Sequence, residues 1–153
     1  MRVGKLAVIR RSVVRVLAAL GLLVLSAGLV GCGDERGGDD LGPGDSPNAS
    51  VAVDLIEYAV RADPAVVEAG AIEFSARNLS SSEVHELAVL RVKADGSYSV
   101  EGEIEDISPG AGGSVTLRLA AGKYLLACLI VPGEAGSEKD HFAEGMRLDF
   151  EVR

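Results

Sequence analysis

Basic side chains are scarce over most of this chain. Five of its 15 Lys and Arg (Arg2, Lys5, Arg10, Arg11 and Arg15) precede residue 32, and all 23 Asp and Glu follow it. Beyond residue 31 the chain therefore carries ten basic against 23 acidic side chains, a formal charge of −13. Such a balance repels phosphate backbones and excludes a nucleic-acid partner. It suits a soluble, monomeric domain whose partner, if it has one, is basic. Cysteine is equally scarce. Cys32 closes the N-terminal region and Cys128 lies deep in the remainder, so the two form no disulfide framework within a folded part. Internal repeats are absent, and beyond Ser50 no helical period persists over about ten residues. The glycine-rich stretch 109–113 lacks the lysine and the following helix of a phosphate-binding loop, and reads as a turn between strands.

The N-terminus reads as an address. Residues 1–15 are basic, and residues 16–31 are apolar and end in small side chains. That run is shorter than the roughly 20 residues of a spanning helix and suits a signal peptide. Leu29-Val30-Gly31-Cys32 resembles a bacterial lipobox, which implies cleavage before Cys32 and a lipid on its sulfur. An ordinary signal peptide, or an uncleaved anchor with a coincidental cysteine, is the alternative. Residues 33–50, GDERGGDDLGPGDSPNAS, have almost no apolar side chains and cannot offset their own ordering entropy. They form a flexible tether with an end-to-end distance of roughly 24 Å. The expected organisation is a signal peptide over 1–31, a lipidated Cys32 with its tether over 32–50, and one folded domain over 51–153. The expected location is the cell envelope outside the cytoplasm, on the periplasmic or outer face of a membrane.

The folded part has the two-residue period of strands. Val51, Val53 and Leu55 alternate with polar or small neighbours, as do Ile72, Phe74 and Ala76, and then Val115, Leu117 and Leu119. Asn78, Asp95-Gly96, residues 108–113 and Ala121-Gly122 mark turns. Residues 87–92 are mostly apolar, and residues 124–131 are apolar throughout, which suits a central strand covered on both faces. Met146, Leu148, Phe150 and Val152 alternate in a last strand. Short strands at this spacing predict an all-β sandwich or barrel.

Beyond Cys32, the donors with imidazole or sulfur are His85, Cys128, His141 and Met146, and no others. Two imidazoles, a thiolate and a weak thioether make up a trigonal site with a long axial ligand, the chemistry of blue copper. His85 starts a strand, Cys128 stands toward the end of the central run, and His141 and Met146 flank the turn before the last strand. Strand ends at one pole of a sandwich can converge on one point. Taken singly, each residue also has a plain reading as a surface histidine, an inert core thiol or a core methionine.

The stretches GAIEFSARNLSSSEVHELAVLRV (70–92), GEIEDISPGAGGSVTLRLAAGKYLLACL (102–129) and HFAEGM (141–146) resemble small cupredoxin-like copper proteins of the plastocyanin and azurin type. The resemblance spans the whole folded part. It implies a Greek-key β-sandwich and one type 1 copper ion held by His85, Cys128, His141 and Met146. The chain departs from this pattern in one place. Twelve residues separate Cys128 from His141, where the family has a few, and Glu134, Glu138 and Asp140 make the insertion acidic. Lengthening a loop from about four to twelve residues costs only about 1 kcal/mol of closure entropy, small beside the worth of a metal site.

The first function expected is one-electron transfer beside a membrane, with a basic redox protein or a membrane oxidase as partner. Copper capture, storage or delivery is a second possibility, and a metal-free interaction module a third, since fold does not fix function. An enzyme is not expected, because apolar surroundings suppress the thiolate of Cys128 and the chain lacks the extra histidines of a multicopper site. Replacing Cys32 with Ser should release the protein from membranes without altering metal binding, as fractionation followed by metal analysis will show. Membrane association that persists until detergent is added would mean an uncleaved N-terminal helix instead.

Overall fold

The computed structural model describes residues 46–153; the expected signal peptide, Cys32 and most of the tether lie outside them. Nine strands make up the described part: β1 (Ala49–Ile56), β2 (Ala59–Asp63), β3 (Val66–Val67), β4 (Gly70–Asn78), β5 (His85–Val92), β6 (Tyr98–Ile107), β7 (Gly112–Leu119), β8 (Gly122–Ala127) and β9 (Arg147–Val152). They form two sheets, ordered β2-β1-β4-β7 and β3-β9-β8-β5-β6. β1 runs parallel to β4 and β3 parallel to β9, while the other neighbours are antiparallel.

The alternation read in the sequence is the alternation of burial. Val51, Val53 and Leu55 of β1 and Ile72, Phe74 and Ala76 of β4 face inward from one sheet. Leu87, Val89, Tyr124, Leu126, Phe150 and Val152 join them in the same core from the other. Across the gap the rings of Phe74 and Phe150 meet edge to face, with centroids 5.5 Å apart, a favoured aromatic geometry. β8 lies between β9 and β5 and is covered on both sides as expected, but it ends at Ala127; the rest of the apolar run leaves the strand, and Val131 is exposed. Leu125 and Ala127 pack with Ala88 and Leu90 in a second cluster, against which Leu129 and Phe142 are laid.

Three strands were not legible in the sequence. β2, β3 and β6 all lie at sheet edges, where one flank needs no apolar partner and the period is weak. In β6 the exposed Glu101, Glu103 and Glu105 hide the pattern, and Gly102 interrupts it. A methyl group on Gly102 would come within 2.5 Å of Leu117, and one on Gly113 within 2.7 Å of Ile104, so these glycines allow β6 and β7 to pass closely. At its start the fold also reaches further than expected. Asn48 N–H donates to Ala71 O at 2.8 Å and β1 begins at Ala49, so Ala49 and Ser50 belong to the sheet and not to the tether.

Truncating Phe74 to Ala removes a fully buried ring that bridges the sheets. The expected loss is about 3–5 kcal/mol of stability, measured by denaturant unfolding. Glu101→Gln on the exposed face of β6 should stay within about 0.5 kcal/mol of the parent.

Candidate metal centre

The site begins at the end of β4. Asn78 continues the inward series Ile72, Phe74, Ala76, and there a polar side chain occupies a core position with no exposure. Its Nδ2 donates to Glu83 O at 2.8 Å and to Ile107 O at 2.7 Å, and its Oδ1 accepts Ser80 N–H at 2.9 Å. Ser80 Oγ then accepts the N–H groups of Ser82 and Glu83 at 3.2 and 2.8 Å. The amide of one buried residue thus ties the 79–84 loop to the end of β6, and the loop delivers His85 as the first residue of β5. Every polar atom of the Asn78 side chain has a partner, so the cost of burying it is met.

Cys128 follows directly on β8. Its N–H bonds to Met146 O at 3.1 Å, continuing the β8–β9 register by one residue, and its Sγ accepts Glu86 N–H at 3.4 Å. Glu86 itself receives Leu129 N–H on Oε1 at 2.7 Å, so the residue after His85 grips both Cys128 and its successor. The segment 140–146 is a tight turn. Glu144 N–H reaches Asp140 O, Gly145 N–H reaches Phe142 O, and Met146 N–H reaches His141 O at 2.9 Å. Gly145 takes a φ of 107° there, which a side chain would resist. Arg147 holds the turn from outside, with Nη1 on Phe142 O at 2.7 Å and its guanidinium over the Phe142 ring.

These elements bring three of the expected ligands to one point. His85 Nδ1 lies 3.3 Å from His141 Nδ1, and Cys128 Sγ lies 3.3 Å from the same nitrogen. All three side chains are fully buried. Among the described residues they form the one group of His, Cys, Asp or Glu donors with the spacing of a metal site, every donor atom within 4.8 Å of the others. Two nitrogens each about 2.0 Å from one ion and 3.3 Å apart would subtend roughly 110°, so both can serve a single ion. Met146 is also fully buried, and its backbone bonds to both Cys128 and His141. The donor set fits a type 1 copper site.

The charges of the donors point the same way. Burial holds the pKa values of His85 and His141 below the ordinary imidazole range, and their mutual proximity lowers that of His85 further. Burial raises the thiol of Cys128 above its usual value, with the nearby Glu86 adding to the effect. The imidazoles are therefore neutral near pH 7, with lone pairs available, and the thiol keeps its proton until a cation displaces it. His85 Nε2 is buried without a hydrogen-bond partner, and the ring stands edge to face with that of His141, centroids 5.1 Å apart. Sequence reasoning missed Asn78, Glu86 and Ser137 as supports of the site. Asn78 carried a signal, a polar residue in register with an inward apolar series; the other two carried none.

The metal-free protein should be most stable between the two ordinary values, 6.5 for histidine and 9.0 for cysteine. Below about pH 6.5 the unfolded chain takes up protons that the buried imidazoles refuse, so stability falls as pH falls. Above about pH 9 the unfolded thiol ionises first, so stability falls as pH rises. Thermal unfolding across pH, with metal removed by chelator, measures both limbs. A His85→Phe, His141→Phe double variant should flatten the acid limb.

No family profile and no curated protein sequence matches the chain. Solved structures do. A dithionite-reduced auracyanin from the photosynthetic bacterium Roseiflexus castenholzii superimposes with a TM-score of 0.53 at 18% identity, covering 71% of this chain and 99% of its own. Auracyanin B gives 0.56 at 18% identity, covering 71% and 91%. Auracyanin A from Chloroflexus aurantiacus, described as a "blue" copper protein, gives 0.49 at 21% identity over 68% and 98%. The first two likenesses show the fold: the described residues form a β-sandwich of the cupredoxin type.

Proposed function

We propose that this protein is a membrane-tethered type 1 copper protein that carries single electrons outside the cytoplasm. One observation carries the reading: His85, Cys128 and His141, distant in sequence, meet with their donor atoms within 4.8 Å in a fully buried place. Met146, buried in the turn that also presents His141, would complete the set with a weak thioether. Bound copper supplies one-electron chemistry between Cu(I) and Cu(II). The chain's own part is to hold thiolate and imidazoles in a shape that neither oxidation state would choose alone. The hydrogen bonds around Asn78, Glu86 and Met146 resist movement of the ligands when charge changes. A protein with the same fold has been examined in a dithionite-reduced state, which accords with a redox role.

Burial favours this reading over delivery and catalysis. Delivery of copper by ligand exchange needs a donor that a recipient can touch, and these three have no exposure. The same burial denies a substrate any approach to the metal, so the role is carriage and not catalysis. Cys32 anchors the protein through lipid, and the tether holds the domain beside the membrane. The acidic surface suits a basic redox protein, or a basic face of a membrane oxidase, reached by electrostatic steering.

Adding Cu(II) to the metal-free protein should produce an intense visible thiolate-to-copper band that disappears on reduction. Cys128→Ser should abolish it, since a hydroxyl is a hard, poor substitute for thiolate. Met146→Leu should keep copper and shift the reduction potential. A colourless protein with a tightly held cuprous ion would favour storage. No copper uptake would favour a metal-free module. An unchanged spectrum in His141→Ala would remove that residue from the site.

A further inference from the structure

Residues 129–140 are where the chain departs from the cupredoxin pattern, and their sequence reads as a solvated acidic insertion. The structure gives them a narrower task. His141 N–H donates to Ile130 O at 2.9 Å, so the spatial offset between Cys128 and His141 is set at the base of the loop and not by its length. Residues 131–140 are then an excursion folded on itself. Glu134 N–H meets Val131 O, Ser137 N–H meets Glu134 O, and Gly133 N–H meets Ser137 O, all between 2.8 and 3.0 Å. Gly133 and Gly136 take φ values of 93° and 80° to make the turns. Within this excursion every side chain is exposed or half-exposed except that of Ser137, which is 5% exposed.

Ser137 Oγ lies 2.9 Å from Nε2 of His141. The same oxygen accepts Lys139 N–H at 3.1 Å and donates its own proton to Lys139 O at 3.3 Å. With Lys139 O open to the hydroxyl proton, and the Glu83 carboxylate near Nε2 favouring a donor there, this geometry favours a hydroxyl that accepts from an Nε2–H. That tautomer leaves a lone pair on Nδ1, the nitrogen that faces His85 and Cys128. Two more groups close on the same ring. Tyr58 packs edge to face on it at 5.2 Å, and Lys139 Nζ lies 4.8 Å from the centre of the Tyr58 ring, pressing it inward from the excursion. The Glu83 carboxylate stands 3.9 Å from Nε2.

We propose that the 131–140 excursion is a clamp on the far side of His141, in which Ser137 is a positioning residue: it holds the Nε2–H tautomer, keeps Nδ1 aimed at the metal, and seals the outer edge of the imidazole from water. The proposal deepens the reading above and rests on His141 binding through Nδ1. A ligand held at its far nitrogen cannot swing away when the metal changes charge. The clamp therefore acts chiefly on how long copper stays bound in its reduced state and on the shape of the oxidised site.

The test compares full-length Ser137→Ala, Ser137→Thr and Glu138→Gln proteins with the parent. Nitrogen NMR of the histidines in the metal-free protein reads the clamp without any copper. The parent and Ser137→Thr should show His141 as the Nε2–H tautomer, with a slowly exchanging ring proton. Ser137→Ala should lose that protection. With copper bound, Ser137→Ala should surrender Cu(I) to a strong chelator roughly three- to tenfold faster, the worth of one hydrogen bond, and should alter the copper hyperfine splitting of the Cu(II) spectrum. Ser137→Thr should restore both, and Glu138→Gln, on the exposed side of the same loop, should change neither. A folded Ser137→Ala protein with parental release rate and spectrum overturns the clamp, as does an Nδ1–H tautomer in the metal-free parent. A parent that binds no copper overturns the electron-carrier reading instead, and the tautomer result then decides the clamp by itself.

Discussion

Three buried donors gathered at one spot cannot satisfy one another's hydrogen-bonding needs, so something other than the donors themselves must hold them there. In this protein the holding is done by the main chain around them, and its anchor is the amide of Asn78. From a core position it binds the 79–84 loop and the end of β6, while its own N–H and C=O bond to the turn between β6 and β7 at Ala111 and Gly110. Each bond would be modest alone, about 1 kcal/mol net. Together they remove the freedom of the segment that leads into His85. If this junction moved, His85 would move with it, and the trigonal spacing would be lost before any ligand was changed.

The remaining candidate donors are placed by a second set of backbone bonds that cross between segments. Cys128 reaches Met146, Met146 reaches His141, and His141 reaches Ile130. This closed circuit places the second half of the site in one local unit, so the thiol, the imidazole and the methionine shift together or not at all. Glu86 joins that unit to β5 by receiving Leu129 N–H on its side chain and giving its own N–H to the sulfur. The site is thus two rigid pieces with one seam, and the seam lies between His85 and Cys128. Rigidity of this kind has a direct consequence for a redox centre, because ligands that cannot relax keep the cost of changing charge low.

At 18% identity to solved sandwiches of the same fold, little of the core can be shared residue for residue. An inward apolar series on each strand tolerates exchange among apolar side chains as long as volume and pattern are kept. The 131–140 excursion shows the other side of that tolerance. An insertion leaves the fold intact because its base is closed by one hydrogen bond, from His141 N–H to Ile130 O. It leaves the donor cluster intact because its one buried side chain supports a member of it. Long surface loops are thermodynamically cheap, and this one brings a hydroxyl to His141.

The sequence by itself determined the class of fold and the candidate donors. The series Val51-Val53-Leu55, Ile72-Phe74-Ala76 and Met146-Leu148-Phe150-Val152 has one consistent burial, and beyond Cys32 the soft or imidazole donors are His85, Cys128, His141 and Met146. Both conclusions rest on properties each residue carries wherever it is: apolar area, period and ligand chemistry. Edge strands β2, β3 and β6 escaped because a half-solvated strand needs no apolar series. Glu86 and Ser137 escaped for a different reason. A glutamate beside a histidine, or a serine in an acidic loop, has nothing in its neighbours along the chain to mark it. Their roles come from bonds to Leu129 and His141, whose meeting with them depends on how β5, β8 and the 131–140 excursion fold back on one another. Only the tertiary structure decided that, because hydrogen bonds are short and directional, and no one-dimensional pattern encodes which distant atoms come within 3 Å.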